Sequence, residues 1–521
     1  MPPLLTTSGH RLHRHLRSLQ RHEWLIMAGA LTSALIPFFS RDKNDVSGGF
    51  LGDAGIYGYL AQDFYGRWAE GVNSFYLGRS LPAWLLHHVL QVFTPEPSYQ
   101  QVLTAFGLLN VVAIALMGYV WCLVCRRLQI TAAGAWLGFI GLFLNHHILK
   151  NSGHSPILTD FCAYTLSLLL FWVYLQPTGW GRRLGMLTVT IALTFTWPAG
   201  IYMCTLLWLF PGWPDSPNRG DLPENYQVSP PPYRLHYVLA LLPTIAGFIY
   251  MQELLPGDLD YLGRGVPLER VGYLSIAIAT SYLFVGLSEL LRNANFYQWS
   301  TWLPYLQSWQ FWVKLIGLAV LFKLPGLLAT AGGYPMTVGH LLYLVVLMSI
   351  LQPGVFWVAH IVYYGPLLIF ALFFWRPICQ LLHRYGLGLS LWAALMFVLS
   401  LDSESRHIVN FYPVLVTLIV LATRSLRQAW QPWHYWVLGG LSLFTSKVWL
   451  TLGDQPGNQR EFPSQFYYMN HGPWMSNLMY AIQAAVVVAL MYGVYDLWIR
   501  DLRRLRATLA ASALSPEQQQ K

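Results

Sequence analysis

The chain has 521 residues, 55% of them hydrophobic and only 11% charged, with a mean hydropathy of +0.41 and a net charge of +9. A soluble domain carries about 25% charged residues, so the composition excludes a soluble enzyme, a disordered chain and a disulfide scaffold. Apolar runs long enough for a bilayer core of roughly 30 Å recur throughout, and they mark an all-α polytopic membrane protein.

Residues 1–23 are basic, with Arg11, Arg14, Arg17 and Arg21, and precede an apolar run from Trp24 to Phe39. Charged residues, not a small-residue cleavage site, follow that run, so it is read as an uncleaved first helix with a cytoplasmic N-terminus. Residues 41–101 form a long first outer loop in which 55–69 and 80–93 are predicted as amphipathic helices in the interface. Further apolar runs lie at 102–124, 131–147, 158–176, 185–197, 199–210, 236–252, 271–290, 311–330, 336–352, 355–375, 388–401, 408–423, 434–452 and 476–498. With 24–40 they form one transmembrane domain, 24–498, of about 13–15 hydrophobic helices. Its basic clusters include Arg126 with Arg127, Arg182 with Arg183, Arg424 with Arg427, and Arg500 to Arg506. The positive-inside rule makes them cytoplasmic ends and makes 499–521 a cytoplasmic tail, which explains the net charge without a nucleic-acid partner. Two inner termini require an even number of crossings. One of the fifteen runs is therefore re-entrant or merged, and the short pair split at Pro198 is the expected one.

The five cysteines lie in or beside apolar runs, and Cys122 with Cys125 lacks the second ligand pair of a zinc site. Polar stretches carry the candidate chemistry, because a membrane protein does chemistry where polar groups are held and water is admitted. The run GDAGIYGYLA, from Gly52 to Ala61, places Asp53 ahead of an amphipathic helix, with Tyr57 one turn on and Arg79 closing YLGRSLP. Asp53 reads equally as a general base and as a helix N-cap. Asp160 ends SPILTD at the head of an apolar run, where a carboxylate is costly unless paired or wet; its alternative is a cap beside Thr159. His146, His147, Lys150, Asn151 and His154 fill the loop before it, with His154 the foremost of these as a substrate contact. In DSESRH, from Asp402 to His407, Arg406 can fork onto a phosphate, or the loop can pair with itself through Asp402 and Glu404. The aromatic segment QFYYMNHGPWM, 465–475, suits either sugar stacking or an interfacial belt. Lys314, Lys323, His340 and His360 are buried-cavity candidates.

Three patches together carry a resemblance: Asp53 with Tyr57 and the closing Arg79-Ser80-Leu81-Pro82, SPILTD ending at Asp160, and SRHIVNFYP from Ser405 to Pro413. This layout resembles the GT-C superfamily of integral-membrane glycosyltransferases. The resemblance implies a GT-C-like helical bundle and transfer of a sugar, with inversion, from a polyprenyl-phosphate-linked donor to a glycan, lipid or protein acceptor on the extracytoplasmic side. Asp53 and Asp160 would be catalytic, Arg79, Arg406 and His407 would bind the donor phosphate, and Tyr57, His154, Glu404 and Tyr412 would contact substrate. A divalent cation, Mg or Mn, could bridge Asp53 and Asp160, although the acidic-x-acidic pair of some members is absent around Asp53. A bacterial inner membrane is the expected location, in contact with membrane lipid. A lipid-linked glycan flippase or other secondary transporter is the alternative, and it predicts an inverted repeat that the chain does not display. An acyltransferase would need a deep catalytic histidine such as His340 or His360.

Overall fold

A computed structural model describes residues 20–40, 53–211, 234–254, 268–332, 338–450, 472, 475 and 477–500. Among them every regular element is helical. The loop 211–234, the tail 499–521 and the aromatic segment 465–475 lie largely or wholly outside the described residues.

α1 (Arg21–Phe39) is followed by α2 (Asp53–Gln62), α3 (Phe64–Gly71), α4 (Ser74–Leu77) and α5 (Leu81–Phe93) of the first outer loop. Next come α6 (Tyr99–Arg127), α7 (Ala132–Phe143), α8 (Asp160–Tyr174), α9 (Trp180–Thr194) and α10 (Gly200–Leu209). After these lie α11 (Leu235–Leu254), α12 (Leu268–Leu290), α13 (Trp309–Leu328) and α14 (Val338–Ile350). The chain continues through α15 (Val355–Tyr364), α16 (Leu367–Phe373), α17 (Trp375–Tyr385) and α18 (Leu387–Leu399). It ends with α19 (Tyr412–Ala422), α20 (Pro432–Ser446) and α21 (Asn477–Val494).

Six described helices, α1, α6, α11, α12, α13 and α21, are long and apolar enough to cross a bilayer, and up to nine spans result if each of three bent pairs counts as one. This set fits a multi-pass membrane protein. Several predicted runs break where glycine and proline interrupt the helix. The run 355–375 is not one helix: Gly365 takes φ +91° and Pro366 follows, which ends α15 and starts α16. α14 and α15 meet at 91° across Gly354, which sits at φ +64°, and α16 meets α17 at 87°. α7 stops at Phe143 and turns by 49° into the segment His147–His154. In the outer loop, predicted helix 55–69 is divided at Asp63, whose carboxylate accepts from the Gly66 amide at 2.9 Å and caps α3.

α19, apolar all round, is buried almost throughout, whereas α13 presents Trp312, Ile316 and Val320 outward, as a lipid-facing helix does. Lipid supplies no hydrophobic drive for helix association, so close approach matters. A Cβ on Gly138 would lie 2.0 Å from the Trp121 ring, whose Nε1 donates to the Ala135 carbonyl at 3.0 Å. α1 and α6 are tied by a bidentate ion pair: Arg126 Nε and Nη2 reach the Glu23 carboxylate at 2.6 and 2.7 Å. The outer-loop helices form their own small core, in which Tyr57, Leu60, Leu77 and Leu86 pack on Val102 and Phe106 of α6 and on Ile157. That layer holds the first candidate residues above the head of α8.

Candidate functional site

Asp53 and Tyr57 are four residues apart, so α2 turns both to one side. One guanidinium reaches both: Arg79 Nη1 lies 3.5 Å from Asp53 Oδ2 and donates to the Tyr57 hydroxyl at 3.4 Å. The Tyr76 hydroxyl donates to Asp53 Oδ1 at 3.5 Å. The Asp53 carboxylate thus turns to partners 23 and 26 residues away, not to the amides of its own helix, and the N-cap reading gives way. These contacts are long, and a ligand can replace them.

Arg79 is placed by the turn after α4, where its amide donates to Tyr76 O and the Ser80 hydroxyl to Leu77 O. Its guanidinium lies over the ring of Phe75, at 4.2 Å, and over that of Trp197, at 4.7 Å. Trp197 belongs to the turn between α9 and α10, which docks on the outer loop through Leu81 N donating to Phe195 O at 2.8 Å. The Arg79 Nε and Trp197 Nε1 atoms are buried without a protein partner. Neither Phe75 nor Trp197 was marked by the sequence reading; Pro198, which splits the apolar run beside Trp197, was the available signal.

Asp160 heads α8 at 2% exposure, and its Oδ2 has no hydrogen-bond partner. Thr159 makes no side-chain cap bond, so the capping alternative does not account for this carboxylate. It lies in the fields of Arg406, Arg79, His407 and Glu404, which brings all three patches of the resemblance to one place. The third patch is stiffened from below. Asp402 Oδ1 accepts from the Glu404 amide at 2.9 Å, and its Oδ2 is 2.6 Å from His407 Nδ1. Arg406 Nε donates to Glu404. The loop therefore pairs internally, with His407, not Arg406, on Asp402, and Glu404 spends its carboxylate on Arg406. The loop lies outside the spans. Burial lowers the proton affinity of His407, but the combined Asp402 and Glu404 carboxylates prevail and hold the imidazole above its ordinary value. Gly472 N donates to Ser403 O at 3.0 Å, so one described residue of the aromatic segment does touch this loop.

Tyr412 faces the helix packing. It is fully buried, its hydroxyl donates to Gly141 O at 3.1 Å and Tyr364 O at 3.0 Å, and its ring stacks on Tyr364 at 3.9 Å. With ring and hydroxyl both committed, it supports the site through Tyr364, whose hydroxyl donates to Ser405 O. His154 is also buried, in the turn where Gly153 approaches Pro37 of α1. His147 stacks on Phe161 at 4.5 Å, next to Asp160, and its Nδ1 is 2.9 Å from the Tyr363 hydroxyl.

His360 joins the polar loop to an apolar cavity of about 550 Å³ lined by residues such as Tyr282, Leu372, Trp375, Phe397 and Met491. Its Nε2 donates to Ser400 O and its Nδ1 accepts from Ser405 Oγ, both at 2.9 Å. Both nitrogens are occupied, so His360 is a wall and not a catalytic base. Ser400 and Ile408, at the two ends of the loop, also line the cavity. Lys314 is not in it; its Nζ donates to Trp208 O at 3.2 Å.

No family model, curated protein or solved structure matches this chain.

The arrangement holds both signs of charge close together. Arg79, Arg406 and a protonation-prone His407 sit among four carboxylates, those of Asp53, Asp160, Asp402 and Glu404, and of the cations Arg79 keeps a buried Nε, without a partner, that can meet an anionic oxygen. Among the described residues no group of three or more His, Cys, Asp or Glu is placed to hold a metal ion.

Proposed function

We propose that the protein is a membrane glycosyltransferase of the GT-C type, moving a sugar from a polyprenyl-phosphate donor to an acceptor on the extracytoplasmic side with inversion. One observation carries the reading: a buried cluster of arginines and carboxylates drawn from residues 53–79, 160 and 402–407, in which the Arg79 Nε is unpaired, shares a wall with an apolar cavity. A lipid phosphate needs both, a charged cradle for its head and a dry groove for its tail.

In this reading the isoprenoid lies in the cavity and its phosphate reaches the Arg79 Nε edge and Arg406. The acceptor hydroxyl enters from the outer loop against Asp53, whose side chain is 27% exposed, and Asp160 orients it. Asp53 takes the hydroxyl proton as the oxygen attacks the anomeric carbon. The bond from that carbon to the phosphate oxygen breaks on the opposite face, and the lipid phosphate leaves with the electron pair. Charge develops on the leaving oxygen, which is where the guanidinium groups act. A single displacement inverts the anomeric centre, as in other inverting sugar chemistry.

The test is turnover by the full chain in nanodiscs, offered a panel of polyprenyl-phosphate sugars with and without Mg²⁺ or Mn²⁺. Release of polyprenyl phosphate that depends on an added acceptor supports the reading. Passage of an intact lipid-linked glycan across the bilayer without cleavage would replace it with a transporter.

A further inference from the structure

The end of α19 opposite the Asp402–His407 loop holds a second cation that the first site does not use. Arg427 is 8% exposed. Its Nη1 donates to Thr423 Oγ1 at 3.0 Å and to the Val420 carbonyl, and its Nε is buried without a partner. Among the described residues it forms no ion pair, and the main fields acting on it come from Tyr435, Arg424 and Cys125, none of them a carboxylate. The Glu23 carboxylate in this region is already taken by Arg126. Burial pushes the Arg427 guanidinium down to about 10, which still leaves it charged at neutral pH. A buried charge facing only neutral groups and another cation is costly unless an anion completes it.

The surroundings fit a lipid headgroup. Trp430 packs at 5.6 Å from Tyr435 and 6.2 Å from His434, and His434 at 5.9 Å from Trp498. The Trp430 Nε1, Trp498 Nε1 and Tyr435 hydroxyl atoms are buried without protein partners. Tyr435 interacts electrostatically with Arg427 and the Trp430 amide donates to the Arg427 carbonyl at 3.2 Å, so the unpaired donors belong to the layer around the guanidinium. Such donors suit phosphate oxygens, and an aromatic layer at a helix end is where a membrane protein meets headgroups. Exposed Arg424, one turn away, adds a second positive charge.

We propose that Arg427, with Trp430, Tyr435 and Trp498, forms a binding site for the phosphate of a membrane phospholipid, separate from the Asp53–Asp160 cluster. The site does not depend on the glycosyltransferase reading.

The experiment is thermal unfolding of the full chain, stripped of lipid in detergent, with phosphatidylglycerol, with diacylglycerol, which lacks the phosphate, and with inorganic phosphate. The expected result is a rise of about 3 °C with phosphatidylglycerol well above its Kd, and none in the other two arms. Arg427→Met should unfold at a higher temperature than wild type without lipid and lose most of the rise, a pattern that a purely structural arginine does not produce. Equal rises in wild type and Arg427→Met would overturn the proposal. So would an equal effect of inorganic phosphate, which would assign the site to free phosphate. Asp501→Asn destabilising wild type but not Arg427→Met would place the counter-ion on the tail and also overturn it. Should Arg427→Met not fold, Arg427→Lys keeps the charge and loses the Nε edge; it should show half the rise or less, and a full rise would contradict the role of that edge.

Discussion

The guanidinium of Arg79 lies 4.7 Å from the ring of Trp197, which joins the first outer loop to the break between α9 and α10. The Phe75 ring lies 4.2 Å from the same guanidinium, and the two aromatic contacts restrict its position. Nη1 then faces Asp53 and Tyr57, while Nε stays unpaired. A cation–π contact of this kind contributes about 0.5–2 kcal/mol. Trp197→Ala should therefore raise the KM for a lipid-phosphate donor by about 3- to 30-fold, since about 1.4 kcal/mol is a factor of ten. Trp197→Phe should keep most of the affinity. Steady-state kinetics on both variants is the check, and an unchanged KM in Trp197→Ala would remove Trp197 from the site.

Asp160 separates stability from activity. Its Oδ2 is buried and unpaired, and in the proposed reaction the acceptor would satisfy it. Asp160→Asn should lower turnover by about 10²-fold or more while leaving the unfolding temperature equal or higher. Loss of activity together with a large fall in unfolding temperature would make Asp160 a structural residue.

His407 provides a pH signature. Its folded proton affinity is raised, so its favourable contribution is complete below the unfolded value of about 6.5 and is lost as pH rises through the higher folded value. Donor affinity should fall over that same interval, because the imidazolium helps to hold phosphate. A pH profile of KM should show this fall in wild type and not in His407→Gln. A profile that is the same in both would remove His407 from phosphate binding.

The cavity predicts chain-length selectivity. Leu372→Trp places an indole where Leu372 lines the apolar space. It should raise the KM for a long isoprenoid donor by about tenfold and leave a short-chain analogue nearly unchanged, because only the long chain needs the space. Equal effects on both donors would detach the cavity from the lipid.

The Glu23–Arg126 pair tests the frame. Its geometry is bidentate and Glu23 is 3% exposed, so Glu23→Gln removes the negative charge from this contact. The expected cost is about 1–3 kcal/mol, visible as a lower unfolding temperature.

The helical class and the three polar patches were legible in the sequence because each depends on local pattern. Hydropathy marks the apolar runs, and the four-residue spacing from Asp53 to Tyr57 puts both on one side of α2. Trp197 was not legible, since only tertiary docking of residues 195–199 on 76–82 gives it a role. Tyr412 misled for a related reason. An aromatic residue before a proline at a helix start looks the same in sequence whether its hydroxyl faces a ligand or, as here, two backbone carbonyls. The break at Gly365–Pro366 was visible as residues, but an apolar run continues through it, so hydropathy alone joined two helices.

The most direct test of the central claim is sugar transfer in nanodiscs by wild type and Asp53→Asn, with donor binding measured in parallel. The account predicts that wild type releases polyprenyl phosphate as the acceptor is glycosylated, and that Asp53→Asn binds donor normally but loses about 10²–10⁴-fold in turnover. Full turnover in Asp53→Asn would contradict the assignment of Asp53 as the base.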